Sequence, residues 1–467
     1  MWRFFYNMVL LAVSPLVVAI LLAKPRCRPG LLQRLGLGNS LSGLSGLSGP
    51  SCRPDQPDRP NEPDRPDRPV IWIHAVSLGE VVAVTPLVNE LHRRHPLSRL
   101  VVSTVTETGR EAVEQRLAGV ADHCYAPLDF PWVVSRFTER LQPRLYLFVE
   151  TELWPNLLWH LRRRGVPTVL VNGRLSTRSF TRQQWAPVRS FYRTMLQTLS
   201  LCLMQSDRDV DRIVALGAEA SRVRRTGNIK FDQPIPAVTE GGTTRACLGL
   251  QDKEQLFVAG STHPGEEEIL VECYRALVAR CSSAVLLLAP RHIERAESVE
   301  AMIRAQGLAV QRRSTIGQAG AAQLTGPRVV VLDSRGELAA IYREAVVAFV
   351  GGTLVPVGGH NLLEPAQWAK PVLFGRYTDH CAEIADLLIQ AGGGRQVLQA
   401  EELAQQVVTL FSNEHERERM GRSARQVVEQ NQGALQRTLE AIDRLLATQQ
   451  DASGSFLAGL QVDRLKV

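Results

Sequence analysis

From residue 70 onward, short β-branched or apolar runs alternate with longer amphipathic stretches. Residues 70–76, 100–105, 145–149, 168–171 and 201–204 read as strands, and each is followed by a segment long enough for a helix. The series restarts after a Pro- and Gly-containing stretch at 234–242, with strands predicted at 256–259, 284–289, 329–332, 345–350 and 372–374. Apolar runs separated by helices are the pattern of βαβ units around a parallel sheet buried on both faces. Two such series predict an α/β protein of two doubly wound, Rossmann-like domains, 70–236 and 237–450, with a cleft between them. Helices are expected to close the chain from about 401 to 448, leaving a tail at 451–467.

The first 69 residues break this rhythm. Residues 4–23 form an apolar run interrupted only by Asn7, Ser14 and Pro15, close to the roughly 20 residues that span a bilayer as a helix. Lys24, Arg26, Arg28 and Arg34 follow it, against Arg3 before it. The positive-inside rule then puts the bulk of the chain on the cytoplasmic side. Residues 1–39 are therefore expected to be a membrane anchor with a basic juxtamembrane segment, either spanning or lying in the interface. A cleaved signal peptide is the competing reading, but no A-x-A site follows the run. Residues 40–69, with repeated Ser-Gly-Leu units and then Pro, Asp and Arg, hold too few large apolar side chains to offset ordering entropy and read as a tether.

Composition narrows the class. With 467 residues, 45% hydrophobic and 22% charged, the chain can build two cores. A net charge of +7 suits anionic partners such as nucleotides, phospholipid surfaces or acidic substrates. No nucleic-acid module with interleaved aromatics is present. The eight cysteines are scattered without a CxxC pair or a Cys/His cluster, which points to reduced thiols and no metal. No Walker-type phosphate loop occurs and no GxGxxG follows a strand.

Ligands of open α/β sheets bind beyond the carboxyl ends of the strands, so the residues that follow each strand carry the chemistry. The first strand runs into His74-Ala75-Val76-Ser77-Leu78-Gly79-Glu80. Glu80 is either a site carboxylate or a first-turn helix residue favoured by the dipole; the dipole lowers its pKa and disfavours a base unless burial opposes it. The strand ending at 149 leads to Glu150-Thr151-Glu152-Leu153-Trp154-Pro155-Asn156, two crowded acids that either work or cap the helix opened by Pro155. Lys230, in Thr226-Gly227-Asn228-Ile229-Lys230-Phe231-Asp232, is either a phosphate or carboxylate partner or a solvated linker charge.

In the second series, Gly260-Ser261-Thr262-His263-Pro264-Gly265-Glu266-Glu267 is a small-residue turn into an acidic first turn. Arg291, just after Pro290, is placed to hold phosphate bidentately, and His292 is either a second donor or a surface residue. Val350-Gly351-Gly352-Thr353 and Gly358-Gly359-His360-Asn361-Leu362-Leu363-Glu364-Pro365 give the strongest local signal. Glycine pairs permit close backbone approach to phosphate, and a first-turn glutamate can accept from ribose hydroxyls; the alternative is a structural turn with a capping glutamate. Asp207-Arg208-Asp209 follows Ser206 and is better explained by helix capping than by metal binding.

Taken in order, these segments together with Asn172-Gly173-Arg174-Leu175-Ser176 resemble the 3-deoxy-D-manno-octulosonic acid (Kdo) transferases of lipid A synthesis, over about 70–446. The resemblance implies a GT-B fold, an acceptor-binding first domain and a second domain that holds CMP-Kdo. It implies Glu80 as general base, with Glu150 and Lys230 stabilising the transition state. Pro290, Arg291, Arg335, Gly336, Glu337, Asn361, Leu362, Leu363 and Glu364 are implied as CMP-contacting residues. Arg335 and Leu362 stand where the family more often has methionine and proline. The implied reaction is an inverting transfer of Kdo to the glucosamine disaccharide of a lipid A precursor in lipopolysaccharide synthesis, without cofactor or metal. Its expected setting is the cytoplasmic face of the bacterial inner membrane, against the phospholipid surface. Two rival readings are a UDP-sugar transferase or epimerase on the same fold, and a non-catalytic membrane-tethered nucleotide-sugar-binding protein.

Overall fold

The computed structural model describes residues 1–23, 30–37, 68–233, 245–318 and 324–463, with side chains from 1 to 15 in the first helix and up to 448 at the other end. The expected tether at 40–69 lies outside the described residues except for its last two positions, and so do Lys24, Arg26 and Arg28.

The chain divides into two compact units, Met1–Gln233 with Gln432–Val467, and Pro234–Asn431. The expectation that the second domain runs to 450 therefore needs correction, because the chain returns to the first unit at Gln432. Asp232 anchors the returning segment. Its two carboxylate oxygens accept from the backbone N–H of Gly433 at 2.6 Å and of Leu435 at 2.7 Å, capping the N-terminus of helix Ala434–Asp463. Ala434, Leu439 and Ile442 of that helix then bury in the first unit's core.

The first unit holds β1 (Val70–His74), β2 (Arg99–Thr104), β3 (Asp122–Tyr125), β4 (Pro143–Val149), β5 (Thr168–Gly173), β6 (Leu201–Met204) and β7 (Val223–Arg225). Their order is β3-β2-β1-β4-β5-β6-β7, and every pairing is parallel. Both faces are covered. Val70 and Trp72 of β1 belong to one core and Ile71 and Ile73 to the other, the two-residue alternation of a strand. This is why β1 reads as an unbroken apolar run.

The second unit repeats the plan with β8 (Gln255–Thr262), β9 (Ala284–Pro290), β10 (Val310–Arg312), β11 (Arg328–Val331), β12 (Ala345–Val350), β13 (Val372–Phe374) and β14 (Gly394–Gln396). The order is β10-β11-β9-β8-β12-β13-β14, again all parallel. Phe257 and Ala259 of β8 face one core, Leu256 and Val258 the other.

The N-terminal helix, Trp2–Ala23, docks on the first unit through one face. Trp2 Nε1 donates to Ser190 Oγ at 2.9 Å, the Tyr6 hydroxyl donates to Asp129 Oδ2 at 2.9 Å, and Asn7 and Asn156 exchange side-chain hydrogen bonds. Phe4, Phe5, Met8, Val9, Leu11 and Val13 are exposed. Among the described residues no helix is long and apolar enough to cross a membrane, so the spanning form of the anchor expectation finds no support there. Arg34, counted with the basic juxtamembrane residues, is not a surface cation. It is buried, its guanidinium lies 4.5 Å from the Tyr125 ring centroid, and it donates to the Val105 carbonyl at 2.6 Å.

Candidate active site

In a doubly wound sheet the ligand crevice opens where neighbouring strands feed connections in opposite directions. In the first unit that point lies between β1 and β4, and the structure brings the predicted carboxylates there. Glu80 sits in the first turn of helix Leu78–Arg94. Its Oε2 accepts from the Val76 backbone N–H at 2.8 Å, and its Oε1 accepts from the Ser77 hydroxyl at 3.3 Å. Burial nevertheless wins: it pushes the Glu80 carboxyl up to about 7, against the lowering hydrogen bond from Val76, and the nearby charges of Glu150 and Glu152 raise it further. At Glu80 burial therefore outweighs the helix dipole and the hydrogen bonds that lower its pKa. No heavy atom lies within 4 Å of the point where a Cβ on Gly79 would project, so the turn is open to a ligand.

Glu150 follows β4 in a left-handed conformation, φ +59°, which an L-residue with a Cβ adopts at a cost of order 1 kcal/mol. Its N–H donates to the Val171 carbonyl at 3.0 Å. Lys230 Nζ lies 3.2 Å from Glu150 Oε1, with both side chains only about a quarter exposed. The linker-charge reading of Lys230 gives way to an ion pair with Glu150, whose charge acts on the half-buried Glu80. Glu152 is also raised by burial and by Glu150.

Three buried polar residues hold the Lys230 segment in place: Asn172 and Asn228, which the sequence marked only as members of motif segments, and Gln205, which it did not mark. Asn172, buried and itself at φ +55°, accepts from the Ile229 N–H through Oδ1 at 3.1 Å. Gln205 Nε2 donates to the Asn172 carbonyl, and Asn228 Nδ2 donates to Gln205 Oε1. These buried polar residues on three separate segments give no joint sequence signal. His74, by contrast, is core: it is buried, paired through Nδ1 with Ser103 Oγ at 2.9 Å, and its pKa is lowered by burial to about 4.

In the second unit the equivalent point lies between β8 and β12. The turn Gly351-Gly352-Thr353 does not offer its amides to a phosphate. Glu266 Oε2 accepts from Gly352 N–H at 2.7 Å and His263 N–H at 2.9 Å, and Oε1 accepts from Thr353 and Leu354 N–H at 3.0 and 2.9 Å. The anion held by this nest is the protein's own carboxylate, so the phosphate reading of this turn is overturned. Asn361 caps the short helix Leu363–Gln367 by accepting from Leu363 N–H at 3.1 Å, and its Nδ2 donates to Glu364 Oε1 at 3.2 Å.

Leu362 and Leu363 are fully buried and the Leu363 N–H is already bonded to Asn361, so the expectation that these two residues contact the nucleotide is corrected. Pro290 is buried as the last residue of β9, while Arg291 is exposed, its N–H donating to the Thr262 carbonyl at 2.9 Å. Arg335 pairs with Glu294 at 3.0 Å, tying its loop to the one that carries Arg291. Gly336 is at φ +88°, and Glu337 lies 3.0 Å from Arg313. Asp209, from the acidic Asp207-Arg208-Asp209 run, accepts from Leu175 N–H at 2.8 Å, and Ser206 caps that helix as expected. A cavity of ≈ 670 Å³ lined by Pro69, Arg94, Arg144 and Asp443 opens at the amino ends of β1 and β4 and holds none of these residues.

Two Rossmann-like parallel-sheet units give the chain a fold similar to that of GT-B glycosyltransferases. Solved structures share the fold: a glycosyltransferase from Rickettsia africae (TM-score 0.53, 13% identity, covering 81% of this chain and 99% of that one) and a UDP-GlcNAc 2-epimerase from Neisseria meningitidis (TM-score 0.56, 13% identity, 80% and 100%). The chain belongs to the 3-deoxy-D-manno-octulosonic acid transferase family. The transferase of Haemophilus influenzae is 36% identical over 448 residues, covering 95% of this chain and 98% of that protein. The Bordetella pertussis transferase is 36% identical, covering 80% and 86%. The sequence model described as 3-deoxy-D-manno-octulosonic-acid transferase (kdotransferase) matches residues 52–233.

Proposed function

We propose that this glycosyltransferase moves Kdo from CMP-Kdo to the glucosamine disaccharide of a lipid A precursor. The observation that carries the proposal is Glu80: a half-buried carboxylate at the β1/β4 switch point, pushed up to about 7, which suits a general base at neutral pH. Glu80 takes the proton of a glucosamine hydroxyl as that oxygen attacks the anomeric carbon. The C–O bond to the CMP phosphate breaks, its electron pair leaves on the phosphate, and configuration inverts without a covalent sugar–enzyme intermediate. Lys230, fixed by Glu150, supplies positive charge where negative charge develops. Arg291 and the loops of Arg335, Gly336, Glu337, Asn361 and Glu364 bind the nucleotide in the second unit.

The lipid substrate suggests a role for the N-terminal helix. Its face of Phe4, Phe5, Met8, Val9, Leu11 and Val13 is exposed and lies on the inner-membrane surface, at the cytoplasmic side where the donor is available. The direct test combines the purified enzyme, CMP-Kdo generated in situ and tetra-acylated lipid A precursor, with mass spectrometry of the lipid. Mass gains of one or more Kdo units support the proposal. No gain with CMP still bound points to another acceptor, and preference for UDP over CMP in a competition assay favours the epimerase-like reading.

A further inference from the structure

Two histidines at the second unit's switch point meet in an arrangement that the nucleotide-binding reading leaves unused. His263 follows β8 and His360 follows β12, the neighbouring strands on either side of the switch. Their Nε2 atoms are 2.8 Å apart, and the rings are coplanar to within 3° with centroids 5.1 Å apart. That centroid separation is the N···N distance plus two ring radii, so the imidazoles meet edge to edge in one plane. One N–H therefore points straight at the other ring's lone pair.

The loops that carry the rings are fastened together. Glu266 accepts from the His263 N–H and from the amides of Gly352, Thr353 and Leu354. Gly352 leaves room for the second ring: a Cβ there would stand 3.0 Å from His360 Cδ2. One carboxylate thus holds both backbone segments in register.

We infer that His263 and His360 act as a single proton-sharing receptor for the phosphate of the donor nucleotide. The inference rests on the reading that this unit binds CMP. The shared N–H···N bond admits only one proton between the rings, so the pair is either neutral or singly charged. In the neutral pair one Nδ1 is a donor and the other an acceptor. On protonation both Nδ1 atoms become donors, and the pair presents two N–H groups and one positive charge.

The surroundings hold the pair neutral. Burial lowers the pKa of both rings, His360 to about 3, and Arg291 and His292 act on both in the same direction. Arg295 also disfavours charge on His263, and His380 on His360. Glu267 favours charge on His263 but is paired with Arg295 at 2.8 Å; Glu266 is occupied by four amides. A phosphate entering beside Arg291 offsets the repulsion that keeps the pair unprotonated, and binding is then coupled to proton uptake.

The experiment is titration calorimetry on the full chain near neutral pH, in two buffers of different ionisation enthalpy. The probes are CMP, cytidine and free Kdo. CMP is expected to bind with proton uptake, and cytidine without it. His360→Gln keeps an amide able to bond His263 but removes the titrating ring; it and His263→Gln should each lose the uptake and weaken CMP about tenfold. Their affinity for cytidine should be unchanged. Comparing variant with wild type separates the imidazoles from the phosphate's own titration. As a check independent of the variants, the wild-type affinity ratio of CMP to cytidine should fall as pH rises above neutrality. Variants that retain wild-type uptake and affinity overturn the inference, as does uptake that accompanies Kdo but not CMP, or an affinity ratio independent of pH. A wild-type chain that binds no CMP instead defeats the nucleotide-binding reading on which it rests.

Discussion

Replacing Glu80 with Gln should make the protein more stable and far less active. Glu80 keeps a hydrogen bond to the Val76 amide, and a glutamine oxygen can accept the same bond. What changes is the charge. The folded-state pKa of about 7 lies above the ordinary 4.5, so between these values the folded chain binds more protons than the unfolded one. Stability then falls as pH rises through that window and stays low above it. The gap corresponds to about 3 kcal/mol at about 1.36 kcal/mol per pH unit, which the residual solvent access of Glu80 reduces to about 2 kcal/mol. Urea unfolding of wild type and Glu80→Gln at about pH 5 and about pH 8 measures it. The variant should gain about 2 kcal/mol on the wild type between the two conditions, while transfer falls about 10²–10⁴-fold. The wild-type kcat/KM should also rise with pH through about 7 as the base deprotonates. An equal stability difference at both pH values, or undiminished transfer, would refute the account of Glu80 as a desolvated base.

Lys230→Met should lower the transfer rate about 10²-fold yet change the melting free energy by less than about 1 kcal/mol, because the Glu150 pair is partly solvated; a large loss of stability with normal turnover would reverse that assignment. Arg328 is buried and grips Glu254 through both guanidinium nitrogens at 2.6 and 2.9 Å. Glu254→Ala leaves that charge unpaired and should cost about 3–5 kcal/mol, read as a large drop in the unfolding midpoint of the second unit. Tyr6→Phe removes the hydroxyl bond to Asp129 and should cost about 1–2 kcal/mol of helix docking, seen as faster protease cleavage near the N-terminus with the core intact; unchanged cleavage would mean the Asn7 and Trp2 contacts suffice.

The fold class and most of the strands were legible in the order of residues, and the strands that escaped show why. β3, β7, β10 and β14 were not predicted, and they are the four edge strands of the two sheets. Central strands such as β1 and β9 are covered on both faces, so they must be continuously apolar and stand out. An edge strand is supported from one side and can be short and polar, as Asp122-His123-Cys124-Tyr125 and Val310-Gln311-Arg312 are. Strand order was not legible either, yet it decides the site. Only the adjacency of β1 and β4 makes Glu80 and Glu150 neighbours, and only that of β8 and β12 lets His263 meet His360. The sequence also presented Gly351-Gly352-Thr353 as an open phosphate cradle, because a glycine turn looks the same whether it holds a ligand or an internal carboxylate. Glu266, more than eighty positions away along the chain, fills it. For Glu80 the sequence supplied two opposing tendencies, a helix dipole that lowers its pKa and burial that raises it. Tertiary packing settled the balance, because desolvation depends on every segment folded around the carboxylate, and no local pattern encodes that sum.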